Sequence, residues 1–170
     1  VLTDTKLFPG YFKEWILSME WREFDYHGRL IQVANFQTGF LHGQFKSINY
    51  SDYGVRFEVT GNYVMALKEG FWAKTYFRDH GTTIREGPVK IEFGNYEHDV
   101  KTGKWQELST LPTSFRPCIL EGVYVTGKRD GDWEYYECAN PSWPYTKATI
   151  LPHTTQKYVE GVLITTIINS

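Results

Sequence analysis

Apolar and polar residues alternate with a period of two through much of this chain. In Val55-Arg56-Phe57-Glu58-Val59-Thr60 the apolar side chains fall on one face and the polar ones on the other, and Val89-Lys90-Ile91-Glu92-Phe93 repeats the pattern. Successive side chains of a strand point to opposite faces, so both windows are read as strands. The longest stretch without Gly or Pro runs from Tyr11 to His27. There Phe12, Trp15, Ile16 and Met19 fit a helical stripe, whereas Trp15, Leu17, Met19 and Trp21 fit alternation. Two Trp so close together favour strand. Ser109–Cys118 and Ala139–His153 (with Pro141, Pro144 and Pro152) read as irregular excursions, and because strand patterns resume beyond both, neither is a domain linker.

Glycine and aromatic residues recur in one frame: an aromatic, a small residue at +3, Gly at +7 and a large aromatic at +9. It occurs as Phe36/Gly39/Gly43/Phe45, Tyr63/Ala66/Gly70/Trp72, Tyr96/Asp99/Gly103/Trp105 and Tyr124/Gly127/Gly131/Trp133. Partial copies flank these at Gly10-Tyr11-Phe12 and at Tyr158–Leu163, and placing Gly10 and Gly161 in the +7 series gives spacings of 27–33 residues. His27-Gly28, Tyr53-Gly54 and His80-Gly81 mark a second recurrence, with Asp52 and Asp79 two residues before their glycines. Asp bonds its own backbone and Gly accepts a positive φ, so these are turn signals.

Each unit is therefore read as a strand starting at Gly-x-Trp, a turn, and a returning strand ending at Tyr-x-x-Gly, with the five residues from +3 to +7 leading into the next unit. The expected fold is all-β: an elongated antiparallel β-meander of stacked hairpin repeats, about ten to twelve strands extending on the order of 50 Å. Residues 1–170 form a single repeat domain, with units starting near 10, 43, 70, 103 and 131 and a terminal strand at 162–168. A lone hairpin cannot bury its apolar face, so such units stand only against neighbours. An aromatic at one place in every unit lands at one height in the sheet. Phe45, Trp72, Trp105 and Trp133 are expected to form a ladder, with Phe36, Tyr63, Tyr96 and Tyr124 beside it. Core packing is the first reading of these rings, and an exposed stacking platform for sugars or bases the alternative.

The frame resembles the MORN-type repeats, more closely the variant found in bacterial proteins often labelled as antitoxin components, Tyr-x-x-Gly-x-x-x-Gly-x-Trp. Tyr124 to Trp133 matches fully; Phe36 to Phe45 has Phe at both aromatic positions, and Ala66 and Asp99 replace the first Gly in two copies. The resemblance covers roughly Gly28 to Gly161. It implies a scaffold that contacts proteins or lipids, and it implies no chemistry.

Composition agrees with a β protein and narrows its partners. Aromatic residues make up 17%, hydrophobic residues 41% and charged residues 22%, enough to bury a core. A formal charge of -2 argues against a basic surface for nucleic acid. No stretch approaches the roughly 20 apolar residues of a membrane-spanning helix. The first residue is Val1 rather than Met, which raises the expectation that a leader, a tag or the rest of a larger protein has been cut away.

Candidate chemistry is sparse. The five histidines (His27, His42, His80, His98 and His153) show no zinc-ligand spacing, and three of them immediately precede glycines. No metal or cofactor is expected. Glu134/Glu137 and Glu58/Glu92 are the carboxylate pairs to weigh for a glycosidase, but Glu-x-x-Glu in a strand points to opposite faces. Cys118 and Cys138 lie ten positions either side of Lys128, so a chain reversal near Gly127–Asp130 would bring them within disulfide range; two free thiols is the other reading. A disulfide implies an oxidising compartment, and with the Thr, Tyr and Trp content this leans towards an extracellular or envelope location. Asn49-Tyr50-Ser51 is a glycosylation sequon.

Two segments are candidates for binding. Val162-Leu163-Ile164-Thr165-Thr166-Ile167-Ile168 has no charge and no Pro, so as an edge it must be covered or paired, and Val162, Ile164 and Ile167 are the edge-pairing residues. Trp143 and Tyr145, in an excursion with no obvious core to fill, are candidates for binding carbohydrate or a cell surface. The sequence thus points to a non-catalytic repeat scaffold or protein-binding module, whose partner includes a copy of itself, joined by strand pairing into a homo-oligomer or array. Carbohydrate binding is the alternative, and an antitoxin or immunity role is a special case of protein binding.

Overall fold

A computed structural model describes residues 19–50, 55–80, 83–84, 88–109, 119–137, 147 and 152–169. The strands are β1 (Met19–Phe24), β2 (Leu30–Gln37), β3 (Phe40–Tyr50), β4 (Val55–Val64), β5 (Leu67–His80), β6 (Thr83–Ile84), β7 (Lys90–Glu97), β8 (Val100–Ser109), β9 (Ile119–Val125), β10 (Lys128–Tyr136), β11 (Thr154–Val159) and β12 (Val162–Ile168). All but the short β6, which pairs with β5, lie in chain order in one antiparallel sheet. The protein is all-β, and the sheet is an open meander of consecutive hairpins with β1 and β12 as its outermost described strands. Both alternating windows fall on strands, in β4 and, from Lys90 onward, in β7, and the described part of the Tyr11–His27 window contains β1.

Two local devices recur along the sheet, and both differ from the boundaries expected from sequence. The reversal takes two residues rather than five. At Thr38-Gly39, Met65-Ala66, His98-Asp99, Thr126-Gly127 and Glu160-Gly161 both central residues have positive φ. That is the type I′ turn, whose twist matches the flanking strands. The +7 glycines Gly43, Gly70, Gly103 and Gly131, expected where the chain passes to the next unit, instead lie inside β3, β5, β8 and β10. The unit boundaries expected near 43, 70, 103 and 131 therefore fall within strands, because the two-residue turn has already reversed the chain before each glycine.

These glycines form bulges. Gly61 faces three residues, Gly70 to Trp72, between the pairs Thr60↔Ala73 and Asn62↔Glu69. Gly94 and Gly122 face Gly103–Trp105 and Gly131–Trp133 in the same way. Gly43 departs from this pattern. Its bulge is displaced by one residue, with Asn35 facing His42 to Gln44 between Ala34↔Phe45 and Phe36↔Leu41. Gly43 is thus the middle residue of its bulge, where the later glycines are the first. The physical reason is the partner of the ring: Ala34 has a Cβ and pairs directly with Phe45, whereas a glycine in the later units leaves room for an indole. The four bulged glycines have φ between +63° and +93°, with Gly43 at the upper limit, a conformation that a Cβ disfavours.

Gly161 also takes a different place from the one expected. It is not a +7 glycine but the second residue of a turn, three after Tyr158, and its N–H donates to Arg129 O at 2.8 Å. The same bond recurs from Ala66 N to Leu41 O, from Asp99 N to Lys68 O and from Gly127 N to Lys101 O, tying these four turns to their preceding units. Tyr158 therefore opens a fifth frame, with Thr165 at the bulge position. Without glycine there the hairpin keeps only one surplus residue, Ile164, between Lys157↔Thr165 and Tyr158↔Leu163.

The turn at Asp25–Arg29 uses side-chain chemistry: Asp25 Oδ1 accepts the N–H groups of His27 and Arg29, both at 2.9 Å. Its Oδ2 holds Arg29 Nε at 2.7 Å. Burial would raise the Asp25 carboxyl, but the bonds and charge from Arg29 and the bond from His27 hold it below its ordinary value. Of the other expected turn marks, Tyr53, Gly54 and Gly81 lie outside the described residues, and His80 belongs to β5.

Candidate interaction surfaces

One face of the sheet carries a continuous row of rings. Phe45, Tyr63, Trp72, Tyr96, Trp105, Tyr124, Trp133 and Tyr158 follow one another with centroid separations of 5.0–6.5 Å, each successive pair edge to face. Such contacts contribute about 0.5–1.5 kcal/mol each beyond the area they bury. Trp72, Trp105 and Trp133 are buried, so their rings offer no open stacking platform. Phe36 contributes no ring contact to this row among the described residues; the row begins at Phe45.

Two further frame positions hold the row, and neither was recognised from sequence. Two residues before each tyrosine stands Gly61, Gly94 or Gly122, on which the indole of Trp72, Trp105 or Trp133 lies flat. The indole N–H then donates to the carbonyl of the next residue: Asn62 at 3.2 Å, Asn95 at 3.1 Å and Val123 at 3.2 Å. At +5 stand Lys68, Lys101 and Arg129, each over its own Trp and the following Tyr. The closest is Lys101 Nζ, 4.0 Å from the Trp105 centroid. Both positions were visible as repeated residue types, Gly or Ala at -2 in all four copies and Lys or Arg at +5 in the last three, but an aromatic-first alignment hides the former.

Among the described residues, the opposite face is covered at one end and open at the other. Leu108, Ile119 and Tyr136 form a buried cluster with Ile91 and Phe93 against it. Lys147 reaches this region from the excursion, its Nζ 3.5 Å from the Tyr136 centroid and 2.6 Å from Glu121 Oε1. Glu121 is 7% exposed and also meets Gln106 and Lys104. Burial would raise its carboxyl, but the bonds from Lys147 and Gln106 and the charges of Lys104 and Lys147 outweigh that and hold it below its ordinary value. Burial pushes the Tyr136 hydroxyl well up, helped by its 2.7 Å bond to Glu134.

Across β1–β5 the same face is a trough of about 780 Å³. Asn35, Gln44, Asn62 and Glu69 line it, with Phe71 beside them. The described residues bring no three metal-binding side chains together. Glu58 is paired with Lys46 and Arg56, while Glu92 is paired with Lys90 on the other face, so these carboxylates do not meet. Among the described residues no helix is long and apolar enough to cross a membrane.

At the far end of the sheet β12 pairs with β11 on one side and with no described strand on the other. All seven of its residues are exposed, including Val162 at 62%, Ile164 at 58%, Ile167 at 52% and Ile168 at 74%. β1, at the opposite end, carries Glu20, Arg22 and Glu23. Trp143, Tyr145, Cys118 and Cys138 lie outside the described residues. No family model, no curated protein and no solved structure matches the chain.

Proposed function

We propose that this chain is a non-catalytic β-repeat scaffold that associates with a second copy of itself by pairing β12 with β12. The observation that carries the reading is the contrast between the two sheet ends. Charged side chains protect an edge strand from further pairing, as at Glu20, Arg22 and Glu23 of β1. β12 has none, and its apolar side chains stand exposed on both faces. Pairing β12 with β1 would set charges beside Ile and Leu at a desolvation cost, so the two-fold pairing of like strands is favoured over an open array. The resemblance of the frame to MORN-type scaffolds supports the same reading.

Sedimentation equilibrium tests it on the whole chain and on the double variant Ile164→Lys/Ile167→Lys. A species of twice the 19.9 kDa chain mass is expected, falling to one chain mass in the variant while the β-type circular dichroism persists. A chain that stays monomeric at high concentration, or a dimer that survives both substitutions, would overturn the proposal.

A further inference from the structure

The trough on β1–β5 stands apart from the β12 edge and has chemistry of its own. Gln44 pairs with Asn62 across β3 and β4, and Asn62 pairs with Glu69 across β4 and β5. Asn35 is joined to β3 by donating from Nδ2 to Gln44 O at 2.8 Å. These four residues thus form a polar row across four neighbouring strands, roughly 14 Å long at about 4.8 Å per strand.

The charges near this row are already engaged. Glu69 Oε1 accepts His98 N–H at 2.9 Å, Glu20 holds Arg22 at 2.7 Å and Lys46 holds Glu58 at 2.8 Å. What remains to meet a ligand is the Gln44 side-chain amide, the Asn35 and Asn62 amide oxygens, the Thr60 hydroxyl and, as a further acceptor, Glu69 Oε2. Amides both donate and accept, as a hydroxyl-rich ligand requires. Phe71, 58% exposed and backed by Phe93 at 5.8 Å, sets a supported aromatic face beside the row.

We infer that this trough binds a neutral oligosaccharide, with sugar hydroxyls bonded along the amide row and one ring stacked on Phe71. Concave sites that combine an apolar wall with a few convergent polar groups are the usual form of small-ligand sites. An anionic polymer would meet the Glu69 and Glu20 carboxylates that line the trough, which a neutral sugar meets only as hydrogen-bond acceptors. Corresponding positions in later units do not repeat the row. Beyond Asn95 the residues at -1 and +8 are Val123, Lys104 and Asp132, and the face there is taken up by the Glu121–Lys147 cluster.

Calorimetric titration of the whole chain with cellohexaose, maltohexaose and chitohexaose, and with hexagalacturonate as the charged control, tests the inference. At least one neutral hexasaccharide is expected to bind, with Phe71→Ala and Gln44→Ala each weakening it about tenfold while the circular dichroism is unchanged. The side-chain amide NMR signals of Gln44 and Asn62 are expected to shift on binding. No binding by any neutral hexasaccharide, stronger binding of hexagalacturonate, or an affinity unmoved by both substitutions would overturn it. Binding that appears only after removal of residues 1–18 would also overturn it, since the trough would then belong to that segment. None of these outcomes bears on the mass of the Ile164→Lys/Ile167→Lys variant.

Discussion

A Cβ built on Gly94 would lie 2.3 Å from Cδ2 of Trp105, well inside any real contact. The indole occupies the space that any other side chain at position 94 would need, and the same holds for Gly61 with Trp72 and Gly122 with Trp133. The first unit solves the problem with smaller partners: Ala34, fully buried, faces Phe45. Glycine here is a packing requirement, whereas glycine at +7 is a conformational one. A Cβ on Gly43 would meet only the Asn35 Cβ at 3.5 Å, an ordinary contact, so its φ of +93° is what demands glycine there.

Gly94→Ala is therefore expected to destabilise the sheet by at least about 2–3 kcal/mol, the scale of overpacking in a filled core. Combining it with Trp105→Phe copies the Ala34/Phe45 pair. In a double-mutant cycle by urea unfolding, the two losses should be less than additive. Additive losses would show that ring and glycine do not share space.

Ala66 and Asp99 occupy the same turn position with φ of +69° and +66°, yet they differ in support. Asp99 Oδ1 accepts Lys68 N–H at 2.8 Å, and Ala66 has no such side-chain bond. Ala66→Gly should stabilise the protein by about 1 kcal/mol, since left-handed backbone costs an L-residue that much. Asp99→Gly should gain less, because it loses the bond to Lys68. Equal shifts in midpoint would sink the distinction.

The +5 cations make a graded prediction. Lys101→Leu introduces the residue that Leu41 supplies in the first unit, and it should cost about 0.5–1 kcal/mol for the lost cation–π contact. Arg129→Leu should cost more. Arg129 also bonds Tyr158 at 3.3 Å and lies 3.6 Å from Glu107. Chemical denaturation of both variants checks the order.

Acid and alkali should act at different residues of the closed face. The Glu121 carboxyl is depressed in the folded protein, so its contribution is full above the ordinary value near 4.5 and lost as pH falls through the folded value. Glu121→Gln should flatten that acid limb in a plot of melting temperature against pH. The Tyr136 hydroxyl is raised from its ordinary value of 10.0, so its contribution is full below pH 10 and lost as pH rises beyond it. Ultraviolet titration of the phenols should show a late-titrating group that moves earlier in Glu134→Gln. A limb unchanged in either variant would refute that assignment.

The strand pattern and the meander were legible because period-two alternation and a repeated frame are local properties of the chain. Apart from Phe36, the ring row was legible too, since identical spacing in consecutive hairpins places identical residues at one height. Gly43 and Gly161 show where that reading failed. The spacing of Gly43 suited a passage between units, but only the pairing of β2 with β3 shows it at the centre of a bulge inside a strand. Gly161 suited the +7 series, yet the bond to Arg129 O and the pairing of β11 with β12 identify it as a turn residue.

The amino-acid order alone determined which residues become strands and which rings share a row, because side-chain alternation and turn preference act over a few neighbours. The tertiary structure decided the rest: which glycines make room for an indole, which charges are already paired, and which half of a face is left open. Those depend on contacts between strands about 30 residues apart, such as Lys68 with Asp99, where pairing register rather than local sequence sets what meets.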